Sequence, residues 1–109
     1  SLQDVTFGPL VMFGSGGVEV EGLKDVAFAL APLTNADADF LLQSTWAGRK
    51  LEGFRNLPPA DREAVREALF RLGQMAADIP RLVEIEIHPL RVRPQGQGAV
   101  ALDIRIRAA

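Results

Sequence analysis

Apolar and polar positions alternate in short runs towards both ends of this chain and recur at helical spacing through its middle. Phe7 to Phe13 is an apolar run bounded by Gly and Pro, which predicts a buried strand. Val18 to Leu23 alternates, with Val18 and Val20 on one face and Glu19 and Glu21 on the other. Val26 to Leu30 then predicts a third strand ahead of Pro32. Between these runs, Gly14-Ser15-Gly16-Gly17 and Lys24-Asp25 read as turns.

The middle of the chain changes period. Thr34 suits a helix N-cap, with Asp37 three residues on as a capping box and Leu33 and Ala38 placed as a hydrophobic staple. That helix is expected to reach about Ser44 with Leu41 and Leu42 inward. Trp46 to Leu57 shows no clear period and reads as a loop holding Arg49, Lys50 and Arg55. Pro58-Pro59 opens the strongest helical pattern, with Asp61 and Glu63 at its positive end. Val65, Leu69, Leu72 and Met75-Ala76 form its apolar face, and Asp78-Ile79-Pro80 ends it.

The final stretch returns to period two. Val83, Ile85 and Ile87 alternate with Glu84, Glu86 and His88. After the turn Pro94-Gln95-Gly96-Gln97-Gly98, the apolar residues Val100, Leu102, Ile104 and Ile106 alternate with Ala101, Asp103, Arg105 and Arg107. Three strands, two helices and a terminal hairpin lack regular βαβ alternation. They predict an α+β fold, with a mainly antiparallel sheet of about five strands and two helices on one face.

Composition narrows the functional classes. At 109 residues, the chain is expected to be a single domain over 1–109. A net charge of −2 gives no electrostatic case for nucleic acid or an anionic membrane. The absence of cysteine excludes disulfides and thiolate metal sites within the sequence, and fits a cytoplasmic setting. No apolar run approaches membrane-spanning length. The chain starts without methionine and moves at once into a strand pattern, so it reads as a piece excised from a larger protein.

Candidate chemistry gathers on the terminal hairpin. If its two runs pair, His88 stands opposite Asp103 with Cβ atoms about 5 Å apart, and Glu86 shares their face. A carboxylate, an imidazole and a second carboxylate suit a divalent cation. Oxygen ligands favour magnesium or calcium, and imidazole shifts preference towards zinc, manganese or iron. The Gly14 to Gly17 run is a weaker candidate for a phosphate loop, because it matches neither the Walker nor the dinucleotide spacing.

Motifs along nearly the whole chain add a family resemblance. Phe7-Gly-Pro-Leu-Val-Met-Phe-Gly-x-Gly-Gly17, Val20-Glu21 and Leu23-Lys-Asp-Val-Ala-Phe28 resemble the ATP-grasp region of ADP-forming acyl-coenzyme A synthetases. The likeness continues through Ala31-Pro-Leu33, Gly53-Phe-Arg55, Pro58-Pro-Ala-Asp61, Ala77-Asp78-Ile79-Pro80 and Ile87-x-Pro-Leu90. The closing stretch is similar to the nucleotide-binding subunit of succinyl-coenzyme A synthetase, with its Glu-Ile-Asn-Pro-Leu followed by Leu-Asp.

The resemblance implies an ATP-grasp subdomain, the C-terminal part of such a domain, binding ATP or ADP with Mg2+. It implies His88 and Asp103 as metal ligands, with Glu86 at the neighbouring acidic position and Gly16, Gly17 and Glu21 near the nucleotide. The other ATP-grasp lobe, the coenzyme A-binding and ligase domains and an acyl-coenzyme A become the implied partners. The phosphohistidine of the synthetases would lie elsewhere in the parent protein, and the isolated chain is expected to be inactive. His88 replaces the Asn of the motif, Ala29 stands where many relatives place Arg, and Glu52 stands where a basic residue is common. An Ile-His-Pro-Leu version also resembles that of protein-lysine acetyltransferases fused to a synthetase-like region, where this segment would be regulatory and non-catalytic.

Overall fold

The computed structural model describes residues 10–18, 24–87 and 90–109. Within them the chain is α+β, with antiparallel strands throughout and helices confined to its middle. β1 (Leu10–Val18) pairs with β2 (Lys24–Leu30). α1 (Asn35–Gln43), α2 (Trp46–Arg49) and α3 (Arg62–Asp78) follow. β3 (Leu82–Ile87) pairs with β6 (Ile104–Ala108), and β4 (Leu90–Val92) with β5 (Ala99–Ala101). The described strands therefore form three two-stranded ladders, where the alternation predicted about five strands in one sheet.

β1 carries the first correction. Gly14 to Gly17 lies within the strand and is not a turn; a register irregularity between Gly14 and Val18 absorbs it. The physical reason is close backbone approach. A Cβ on Gly14 would come within 1.9 Å of the Asp25 carbonyl oxygen, so this crossing admits only glycine. Lys24-Asp25 likewise belongs to β2 and is no turn. The alternating run expected at 19–23 lies outside the described residues. Of the first strand, Val11 is buried while Leu10 and Met12 are exposed, so β1 is covered on one face only.

α1 begins where its capping box places it. The Thr34 hydroxyl accepts from Asp37 N at 3.1 Å, and the Asp37 carboxylate accepts from Thr34 N at 2.9 Å. Reciprocal satisfaction of two free donors fixes the helix start. Ala38, Leu41 and Leu42 then point into the core.

Trp46 to Leu57 was expected as a loop, but its first residues form α2 and a 3-10 turn at Lys50–Glu52. Periodicity cannot detect a four-residue helix. Its cause is local, since the buried Thr45 hydroxyl accepts from Gly48 N at 3.1 Å and donates to Leu41 O at 2.9 Å. Gly48 is required here as well, because a Cβ would meet Leu42 O at 2.0 Å. α3 starts four residues after Pro58, with Asp61 as N-cap. The prolines precede the helix and do not form its first turn.

Val11, Ala27, Leu33, Leu41, Leu42, Leu51, Val65 and Leu69 make the core between the inner face of β1–β2 and the helices. Among the described residues no helix is long and apolar enough to cross a membrane.

Candidate functional site

Leu90 and Val92 pack the terminal strands against this core, and one charged side chain ties their turn to it. Asp61 caps α3 through Ala64 N at 3.1 Å, and its second carboxylate oxygen accepts from Gly98 N at 2.7 Å. Its own N–H donates to Arg93 O at 2.8 Å. Helix start and hairpin turn are thus held by a single charged group, which sets the ladder's position relative to the core.

Between Glu84 and Val92 the two terminal ladders share one register in their described residues. Ile87 faces Ile104 and Leu90 faces Ala101, so positions three apart on one strand face positions three apart on the other. Asp103 lies beside this junction, between β5 and β6. Its side chain is 59% exposed, and among the described residues it pairs with Arg105, whose Nε lies 3.9 Å away. His88, the residue expected opposite Asp103, lies outside the described residues, as does Glu21. Glu86 is in β3 with Arg105 as its register partner. Gly16 and Gly17 are in β1, within the irregular part of its register.

The ladder's acids do not stand alone. Glu84 faces Arg107 in register, with Arg107 Nε 3.6 Å from Glu84 Oε1. Acidic positions on β3 are thus met by arginines on β6, so the patch has mixed charge. No group of three His, Asp or Glu side chains gathers among the described residues. A shallow cleft between α3 and Gly96-Gln97-Gly98 contains none of the predicted site residues. Its arginines are engaged internally, Arg66 with Asp39 and Arg71 with Glu67.

One polar centre was missed in the sequence. Asp25 accepts from the Ser15 hydroxyl at 2.7 Å, Trp46 N at 2.7 Å and Ala47 N at 2.9 Å. Burial raises its pKa, but the hydrogen bonds from Ser15, Trp46 and Ala47 together outweigh that effect and hold the carboxyl below its ordinary value. A signal was available. Asp25 shares its alternation with the inward Ala27 and Ala29, and an acid at an inward position needs donors.

The ATP-grasp domain family model matches residues 1–108. Acetate–CoA ligase [ADP-forming] I of Archaeoglobus fulgidus is 40% identical over 98 residues, 90% of this chain and 14% of the relative. Acetate–CoA ligase [ADP-forming] I subunit beta of Pyrococcus furiosus is 38% identical over 105 residues, 96% of this chain and 44% of the subunit. The dinucleotide-forming acetyl-coenzyme A synthetase 1 of Ca. Korarchaeum cryptofilum, in complex with coenzyme A and Mg-AMPPCP, superposes with a TM-score of 0.85. It is 39% identical, and the match covers 97% of this chain and 49% of that one. The chain thus spans less than half the length of each of these relatives.

Proposed function

The chain belongs to the ATP-grasp domain family, and we propose that it is the C-terminal part of the nucleotide-binding domain of an ADP-forming acyl-coenzyme A synthetase. The observation that supports this most is the terminal pairing, in which Ile87 faces Ile104 and Leu90 faces Ala101, with Asp103 between Ala101 and Ile104 in the chain. In this reading residues 1–109 are a single domain that works with the other ATP-grasp lobe, the coenzyme A-binding and ligase domains, and an acyl-coenzyme A.

The donor set suits Mg2+ with ATP or ADP. Asp103 offers an exposed carboxylate, the hard oxygen ligand that magnesium prefers. His88 would be the second ligand, offering one nitrogen lone pair when neutral and none when protonated. When bound, magnesium neutralises charge building up on a transferred phosphoryl group. Glu86 would be the neighbouring acidic position of the motif, with Arg105 as its register partner on β6. Gly16 and Gly17 let a phosphate approach the β1 backbone closely, with Glu21 on the following segment.

Calorimetry of the full-length protein with magnesium and ADP tests the assignment. Asp103→Ala is expected to weaken binding at least about tenfold, since loss of a residue that merely supports a metal ligand already costs that much. His88→Asn, which supplies the amide oxygen of the family motif, is expected to retain or tighten it. Unchanged affinity in both variants would exclude this metal site. The 109 residues alone are expected not to turn over ATP, acetate and coenzyme A, and turnover by them would overturn the assignment of a partial domain.

A further inference from the structure

β1 and α2 are far apart in sequence but meet at one carboxylate. Asp25 Oδ1 accepts from Trp46 N, and Oδ2 accepts from both Ala47 N and the Ser15 hydroxyl. Two of these bonds cap a helix, which stability alone would explain. The third does not. It reaches into the glycine segment, where Gly14 passes so close to the Asp25 backbone that no side chain fits. Ser15 is also the only residue with a side chain between Gly14 and Gly17. Glycine backbone has more accessible conformations than any other, so a segment of this composition needs an outside restraint to hold one course. The register irregularity between Gly14 and Val18 increases that need, because regular ladder bonds no longer supply the restraint.

We infer that Asp25 is a positioning residue, which through the Ser15 hydroxyl fixes the course of the Gly14 to Gly17 backbone for nucleotide phosphates. The inference rests on the nucleotide reading above, and it gives roles to Ser15 and Asp25. Asp25 does not touch the nucleotide. Its two remaining bonds anchor it to α2, so the glycine segment is referenced to the buried core and not to solvent.

Ser15→Ala separates positioning from capping, because it removes the hydroxyl bond and leaves the Ser15 backbone and both α2 bonds to Asp25 in place. In the full-length protein, Ser15→Ala is expected to raise the Kd for Mg-ADP about fivefold, the equivalent of one ordinary hydrogen bond. Ser15→Thr keeps the hydroxyl on a β-branched side chain suited to a strand and is expected to restore binding to within about twofold. Amide exchange provides a readout independent of nucleotide. In Ser15→Ala it should accelerate at 14–18, while Trp46 and Ala47 stay protected. Wild-type exchange at 14–18, or affinity within twofold of a wild type that binds, would overturn the positioning role. A wild type that binds no nucleotide would instead overturn the functional reading, and the positioning role with it.

Discussion

The α1–α2 corner and the terminal ladder differ most sharply in what surrounds them. At the corner, Ala38, Leu41 and Thr45 are 0% exposed and Leu42 is 1% exposed. Thr45 satisfies its donor and acceptor inside the molecule. On the ladder, Ile104 is 53% exposed and Ile106 is 61% exposed, and the ion pairs are spread over solvent-facing side chains. The corner is complete in itself, whereas the ladder presents charge and apolar surface outward. Stability and candidate chemistry therefore reside in different places, and substitutions should separate them.

The largest expected effect belongs to the corner. Leu41→Ala should cost about 2–5 kcal/mol, the transfer term plus the cavity left among packed neighbours, measured by urea unfolding. A cost below about 1 kcal/mol would show that the corner repacks freely, and the contrast with the ladder would fail.

Asp25 gives an intermediate case with a pH signature. Its folded pKa lies below the ordinary value of 3.8, so the ionised form is favoured by folding. The stability it contributes is present above the unfolded pKa and is lost as pH falls through the folded one. Asp25→Asn should remove that acid-limb loss and lower the urea midpoint at neutral pH, since an amide cannot accept all three bonds. Parallel pH profiles for variant and wild type below pH 4 would show that the carboxylate carries no such linkage.

The smallest effect is expected on the ladder. Glu84→Ala removes the partner of Arg107 at an exposed pair and should change stability by about 0.2–1 kcal/mol, decreasing further with added salt. A loss comparable to that of Leu41→Ala would mean that the ladder is part of the cooperative core.

What was legible in the sequence follows the range of each signal. The Thr34–Asp37 capping box located α1, because a cap is written within four residues. Alternation in 82–87 and 104–108 identified the paired strands, because one-sided burial or one-sided charge repeats every second residue. The terminal register was legible too, since two alternating runs joined by a short glycine-containing turn have few ways to pair. The α2 helix was not visible, as one turn carries no period and depends on a buried Thr45 hydroxyl. Nor was Gly14 to Gly17 recognisable as strand, because glycine signals a turn until a neighbouring backbone accounts for the missing side chain.

The sequence by itself determined the α+β class, the antiparallel pairing, the boundaries of α1 and the residues that mark the ATP-grasp family. These depend on spacing between near neighbours, and spacing is local information. Only the tertiary structure decided that Asp25 joins β1 to α2 and that Asp61 joins α3 to the terminal turn. Each of these contacts unites residues distant along the chain, and a carboxylate's partners are set by which donors the packed core brings within hydrogen-bond reach.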